Sequence, residues 1–537
     1  METQCFDSNV CVGKRGRKHR LEQWSTEHVL DAMSKCGVSA ALVHSGWAKD
    51  YSPIYGNERL IEELKKSERL FGCYTILPGM CGDFPAPDET IADMRAKGMV
   101  AAKIFPAYHN FSVDEISMGE YFGALERERL PLLIDKPEIS FEALEKILAN
   151  HPSLPVLLQG VYWNEERFVI ALLKEYENLH IDFSCMQTNF AVERLVEKIG
   201  AERLVLGSGM PRMNVGAARS FIDYAEISGD DKRKILGENL ARLCGVKLPE
   251  PARVQNDEIA LQASEGKPVS VFVFDSHAHF LEEGGGCVGN SPMPKGGYKS
   301  MEALYAGIGI DKYCVAPWLG IWTDSEAGNR IMLDMTIKSP DKAVGYVLID
   351  PAYVDVEAEA RKYHIEHRIP GIKMFRYRTC LRYNDPVFDP WWEIADEHCL
   401  FALMDSGYYP EYLSDMEDLA VRYPDVYFFL DHAGRDFNSA ESYAALAKKY
   451  DNIYLQLTFT SVTQGLIEYL VAEGLEDRTL FGTDSPMRDP RPQLGWVAYA
   501  DIPISAKKKI LGENMQRILG RCFPNDNKQN TVRKTGL

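Results

Sequence analysis

Short apolar runs alternate with amphipathic stretches along the whole chain, and the alternation is played twice. In the first half the apolar runs fall at 5–11, 40–44, 72–77, 101–105, 130–135, 155–160, 180–184 and 203–207. Between them lie stretches with helical spacing. Val29, Leu30 and Met33 share one side of His28–Lys35, and Phe141–Ala149 and Glu165–Tyr176 read the same way. The second half repeats the count, at 271–279, 312–316, 345–349, 371–375, 401–405, 427–432, 453–458 and 479–484. Strands that alternate strictly with helices predict a parallel sheet. Eight such units in about 240–250 residues fit a (β/α)8 barrel. The chain is therefore expected to be an α/β protein of two tandem TIM-like barrels. The Gly-rich phosphate turn of an open doubly wound sheet does not occur in it.

The two halves are copies. FDSNVCV at Phe6–Val12 answers FDSHAHF at Phe274–Phe280, and KILGEN stands at both Lys234–Asn239 and Lys509–Asn514. Between these come Ala102–Phe105 against Ile372–Phe375, Leu132–Asp135 against Ala402–Asp405, and Leu206–Pro211 against Phe481–Pro486. The order is kept while the offset drifts from 268 to 275, as a duplication with small insertions would leave it. The predicted organisation is a barrel at 1–247, a polar linker at 248–269 carrying Pro249, Pro251 and Pro268, a barrel at 270–522 and a polar tail at 523–537.

Composition narrows the function class. With 537 residues the chain is too long for one core. A formal net charge of −18 argues against non-specific nucleic-acid binding. No run approaches the roughly 20 apolar residues of a membrane helix, and METQCFDSNV has no signal-peptide pattern. The twelve cysteines are scattered without a CxxC pair, which suits reduced thiols. These features predict a cytoplasmic protein with a small-molecule substrate and neither nucleic acid nor membrane as partner. The first barrel is expected to pack on the second, and self-association into a homo-oligomer stays open. A basic run, Lys14, Arg15, Arg17, Lys18 and Arg20, has no aromatic interleaving and reads as solvated.

The candidate chemistry lies at strand ends of the second copy. Asp275, His277 and His279 occupy alternate positions and are expected on one strand face. Lys373, Asp405, His432 and Asp484 close strands four, five, six and eight, so a closed barrel brings them to one mouth. Imidazole and carboxylate ligate zinc and similar ions, and an open position lets a bound water ionise. His432 could polarise a carbonyl or shuttle a proton, and Asp484 could ligate or accept a proton. Loop arginines follow strand four (Arg376, Arg378, Arg382) and strand eight (Arg488, Arg491), where they could bind a carboxylate. Trp318 and Trp322 follow strand two, where a ring could stack on substrate.

DSHAH at the first strand, LDHAG around His432, FGTDSP around Asp484 and the closing ILGEN-x-x-R-I-L-G run in order across 271–522. In this set the second copy resembles the amidohydrolase superfamily, in its amidohydrolase-related branch. The resemblance implies a metal-assisted site with His277, His279 and Asp484 as ligands and His432 as a catalytic residue. It implies hydrolysis of amides, esters or lactones, or non-oxidative decarboxylation of small carboxylic acids. One departure stands out: the branch's strand-five histidine ligand is replaced by Asp405, which can itself ligate. The expected cofactor is one divalent ion, zinc ahead of manganese. Metal-free operation is the alternative, because some members of the branch work without metal. The preferred reading is hydrolysis of a C–N or C–O carbonyl bond, with His432 and Asp484 as catalytic residues and Arg376, Arg378 and Trp318 binding a small anionic substrate. A decarboxylase and a non-catalytic binding or scaffold protein are the rival readings.

The first copy is an internal control. Opposite His277, His279, His432 and Asp484 it carries Asn9, Cys11, Gly160 and Gly209, so it is expected to be a degenerate, non-catalytic barrel. Lys103 and Asp135 persist opposite Lys373 and Asp405, so a shared structural role explains both; for Lys373 it is preferred over a carbamylated, metal-bridging lysine, and for Asp405 structure and ligation stay equally open.

Overall fold

The computed structural model describes residues 3–16, 19–406, 409–460 and 462–524. Arg17 and Lys18 of the basic run, and 525–537 of the predicted tail, lie outside them. The chain divides into two compact units, Met1–Gly266 with Val288–Pro292, and Lys267–Cys287 with Met293–Leu537.

Each unit is built on eight parallel strands in sequential order. In the first they are β1 (Phe6–Val12), β2 (Ala40–Ser45), β3 (Leu70–Thr75), β4 (Ala101–Ile104), β5 (Leu132–Asp135), β6 (Val156–Gln159), β7 (Leu179–Asp182) and β8 (Leu204–Val205). In the second they are β9 (Phe274–Ala278), β10 (Lys312–Val315), β11 (Ala343–Val347), β12 (Gly371–Met374), β13 (Phe401–Met404), β14 (Tyr427–Leu430), β15 (Ile453–Leu457) and β16 (Thr479–Phe481). All sixteen predicted strands are present, most of them trimmed at their ends and β1, β2, β3, β7 and β11 shifted or extended by one or two residues. Short connections carry the helices, and nearly every strand residue is buried, as a sheet covered on both faces requires.

Closure comes from the chain just past the last strand. Ser8 donates to Leu206 and Cys11 to Met210, both at 2.9 Å, in the first barrel. In the second, His279 donates to the Ser485 carbonyl at 2.6 Å and Asp484 to the His277 carbonyl at 2.7 Å. Closure therefore seats the strand-eight end directly against the His277–His279 pair.

The repeated KILGEN motif is architecture, not chemistry. In both copies KILGE forms one π-helical turn. Its asparagine ties the entry to the last strand: Asn239 donates to Ala201 and Leu204, and Asn514 to Glu476 and Thr479. A Cβ at Gly512 would stand 2.6 Å from the Phe272 carbonyl, so only glycine lets this turn close on the first strand. Beyond the turn, Met515 and Ile518 join Phe274, Tyr346, Phe401, Leu403, Phe429 and Tyr454 in an apolar core. That core fills the barrel and leaves the polar strand ends at the opposite mouth. The predicted linker carries a helix of its own, Glu258–Ser264, capped by the Asp257 carboxylate. All twelve cysteines are free thiols.

Candidate metal centre at the mouth of the second barrel

Three ligand atoms meet at one point. His277 Nε2 and His279 Nε2 are 2.9 Å apart, and Asp484 Oδ1 stands 3.6 and 3.2 Å from them. Ligand atoms about 2.0–2.2 Å from a shared ion, at angles of about 90–110°, would be about 3.0–3.4 Å apart. The observed triangle brackets that spacing.

Tautomers fix the direction of the lone pairs. His279 Nδ1 lies 2.8 Å from the Ala316 carbonyl, which can only accept, so the proton sits on Nδ1. His277 Nδ1 lies 3.1 Å from Gln456 Oε1, and the Gln456 amide is oriented by donating to the Leu457 carbonyl. Both Nε2 lone pairs are left facing Asp484. Two nitrogen acceptors aimed at each other at 2.9 Å repel unless a cation lies between them, so the donor set fits a divalent ion. A Cβ on Gly482 would fall 1.7 Å from Gln456 Nε2 and 2.9 Å from His277 Cβ, so this glycine makes room for the Gln456–His277 contact.

His432 repeats the pattern. Its Nδ1 lies 3.2 Å from the Thr458 carbonyl, so its Nε2 is also free, and its ring centroid is 5.7 Å from that of His277. Burial holds His279 and His432 well below the ordinary imidazole value, which keeps both neutral.

A buried carboxylate lies under these rings. Asp431 Oδ1 is 3.3 Å from His277 Nδ1 and 3.2 Å from His432 Nδ1, but both N–H groups point elsewhere and this oxygen accepts no hydrogen bond among the described residues. Its other oxygen accepts from Lys373 Nζ at 3.0 Å. Burial opposes the charge, yet the Nδ1–H edges of His277 and His432 and the Lys373 ammonium outweigh it and hold the Asp431 carboxyl well below its ordinary value. The Lys373 ammonium is thus a counter-ion, whereas a carbamate there would confront Asp431 with a second negative charge. In the first barrel Lys103 instead bonds Asp135 at 2.8 Å and Gln159, the Asp431 counterpart, at 2.7 Å. With Lys373 turned to Asp431, the Asp405 carboxylate makes no hydrogen bond or ion pair among the described residues. It groups with Asp431 and His432 and not with the His277–His279–Asp484 triangle. Burial raises its carboxyl to about 6.

His432 and Asp484 are held at left-handed backbone angles, φ 53° and 62°. Non-glycine residues pay for this conformation, and such strain gathers at functional positions. Their first-barrel counterparts, Gly160 and Gly209, have φ 69° and 75°. The left-handed turns persist in both copies, and glycine removes the strain where the side chain is gone.

The remaining predicted residues are placed as follows. Trp318 is buried, with its ring centroid 6.0 Å from that of His279. Arg376 pairs with Glu411 at 3.0 Å and Arg378 with Asp350 at 3.0 Å. Arg488 pairs with the second oxygen of Asp484 and lies over the Phe459 ring, which packs on His432. Burial lowers its guanidinium to about 10. Asp275 does not join its expected face. A register irregularity between Asp275 and Ala278 breaks the alternation, and Asp275 accepts from Tyr305 and Thr483 inside the wall. Sequence reasoning missed Asp431, Gln456 and the Ala316 and Thr458 carbonyls. Comparing the copies could have flagged the first two, since Asp431 faces Gln159 and Gln456 faces Asp182.

No curated protein matches the chain. Solved structures that resemble it include an uncharacterized TIM-barrel protein from Bordetella bronchiseptica (18% identity, TM-score 0.39, 47% of this chain and 99% of that one). Also similar are 2,6-dihydroxybenzoate decarboxylase from Rhizobium (15%, 0.37, 45% and 99%) and dihydroxybenzoic acid decarboxylase from Polaromonas sp. with bound manganese (19%, 0.37, 46% and 96%). The amidohydrolase family model matches twice, at 41–246 and 274–521, once in each barrel, and the chain belongs to the amidohydrolase family.

Proposed function

We propose that the second barrel is a metal-dependent hydrolase that cleaves a C–N or C–O bond beside a carbonyl in a small anionic substrate. The observation that carries this reading is the shared tautomer of three histidines. His277, His279 and His432 all keep the proton on Nδ1 and turn Nε2 to the mouth. His277, His279 and Asp484 would hold the ion. A divalent ion there, zinc or manganese, supplies a Lewis acid that polarises a carbonyl and makes water easier to ionise.

The chain's own residues do the rest. His432 Nε2 takes a proton from the water as its oxygen bonds to the carbonyl carbon, and gives that proton to the leaving nitrogen or oxygen as the C–N or C–O bond breaks. The Asp431 carboxylate, 3.2 Å from His432 Nδ1, stabilises the imidazolium that forms. Asp484 is fixed by Arg488, and Trp318 forms a wall beside His279. Arg376 and Arg378 are the outer anchors for a substrate carboxylate. The first barrel, with Asn9, Cys11, Gly160 and Gly209 at the matching positions, is non-catalytic. A decarboxylase needs a proton delivered to carbon, and His432 in this tautomer offers a lone pair, so hydrolysis is the better-supported reaction.

The test is a product assay in isotopically labelled water, with amides, esters, lactones and aromatic carboxylic acids supplied to the metal-reconstituted protein. Hydrolysis places the label in a product carboxylate and releases no carbon dioxide. Carbon dioxide without label in the product would establish the decarboxylase instead.

A further inference from the structure

The first barrel has lost the ligand set, but its mouth has not collapsed. A cavity of about 420 Å³ opens there, lined by Cys11, Arg15, Trp24, His44, Lys49 and Arg212 among others. That volume lies within the range of small-molecule sites, and the C-terminal mouth is where this fold binds ligands.

The mouth has exchanged its chemistry. Strand register puts His44 where the second barrel has Ala316, and the helices Gly46–Asp50 and Trp318–Trp322 put Lys49 where it has Ile321. Arg212, one residue past Pro211, stands where the second barrel has Met487. Simple decay would leave apolar or small side chains. Here an alanine, an isoleucine and a methionine face a histidine, a lysine and an arginine.

The new cations converge. Arg15 is partly buried: it pairs with Asp50 at 3.0 Å and lies 5.0 Å over the Trp24 ring. Lys49 stands 3.1 Å from Glu138 and 3.8 Å from Asp135, and 4.3 Å over the Phe105 ring. Lys103 forms the floor, also against Asp135. Three carboxylates thus serve these three cations. Arg212 adds a fourth: it is exposed at the rim and makes no ion pair among the described residues. Trp24, and Tyr108 with Lys49 5.4 Å over its ring, supply flat walls.

We propose that the mouth of the first barrel is a binding site for a small organic carboxylate, with Arg212 as its charge partner, Lys49 masking the Glu138 and Asp135 carboxylates that would otherwise repel it, and Trp24 and Tyr108 as its walls. The ligand is held and released unchanged, because Asn9, Gly160 and Gly209 supply no imidazole or carboxylate and burial pushes the Cys11 thiol up to about 11. This site does not depend on what the second barrel catalyses.

The experiment is calorimetric titration of the full-length protein carrying His277→Ala and His279→Ala, with sodium benzoate and separately with inorganic phosphate. Benzoate is expected to bind, and adding Arg212→Glu is expected to weaken it about tenfold or more, the worth of one charge-assisted bond. Arg212 is exposed, so this variant should unfold at an unchanged temperature. Lys49→Met is the second variant and should weaken benzoate likewise. Absence of benzoate binding, binding of phosphate alone, or affinity unmoved by both substitutions would each overturn the assignment.

Discussion

Removing the Asp431 charge should unbalance the second barrel in a way that a second substitution repairs. Lys373 and Asp431 are 3.0 Å apart, with side chains 2% and 1% exposed. Breaking a buried pair from one side costs about 3–5 kcal/mol, because the survivor keeps an unpaired charge, while apolar replacement of both is close to neutral. Asp431→Asn alone should therefore lose about 3 kcal/mol, since the amide oxygen still accepts one bond. Lys373→Met alone should lose a similar amount, because Asp431 then faces only the imidazoles. The double variant should lose much less than the sum, leaving a coupling of about 2 kcal/mol or more. Urea unfolding followed by tryptophan fluorescence suits the measurement, because Trp318, Trp322, Trp391, Trp392 and Trp496 lie in the second barrel and only Trp24, Trp47 and Trp163 in the first. The first barrel is a control: Gln159→Leu leaves Lys103 with Asp135 and should cost about 1 kcal/mol. A coupling below about 0.5 kcal/mol would mean that Lys373 and Asp431 act independently, and the counter-ion argument would fail.

Further predictions follow from the site and its copy. Gln456→Leu frees the His277 Nδ1–H and should weaken zinc affinity about 10–100-fold, measured by competition with a chelator; an unchanged affinity would remove Gln456 from the account. His432→Gly and Asp484→Gly should each be about 1 kcal/mol more stable than the matching alanine variants, since glycine relieves the left-handed strain; equal denaturation midpoints would argue against strain there. Burial pushes the Asp7 carboxyl from 3.8 to about 7 against bonds from Ser208 and Asn9. The folded chain then holds a proton that the unfolded chain releases, so this group's contribution falls by up to about 4 kcal/mol as pH rises from about 4 to about 7. Asp7→Asn removes that dependence, so the variant should gain on the wild type between about pH 5 and about pH 8 in urea unfolding followed by circular dichroism; a constant gap would contradict it.

The fold was legible because its signals are local and repeated. Sixteen apolar runs, the FDS and KILGEN pairs and the drifting offset place the strands, and strand ends then place His277, His279, His432 and Asp484 at one mouth. The limits are equally physical. Alternation predicts a shared face for Asp275, and an irregularity between Asp275 and Ala278 sends its carboxylate to Thr483 instead. Asp431 precedes His432 and reads as part of the strand, since pattern does not say that Lys373 will choose it over Asp405. Gln456 is neutral and gives no chemical signal until Gly482 lets it touch His277. Arg376 and Arg378 read as equal to Arg488, but only tertiary pairing shows that Arg488 meets Asp484.

The most direct test of the central claim is the metal content of the purified full-length protein by elemental analysis, before and after incubation with zinc or manganese, beside the His277→Ala/His279→Ala variant. The account predicts about one equivalent in the wild type and none in the variant, since among the described residues the His277–His279–Asp484 triangle lies in the second barrel and the first barrel has no such group. No metal in the wild type after incubation, or the same content in the variant, would contradict it.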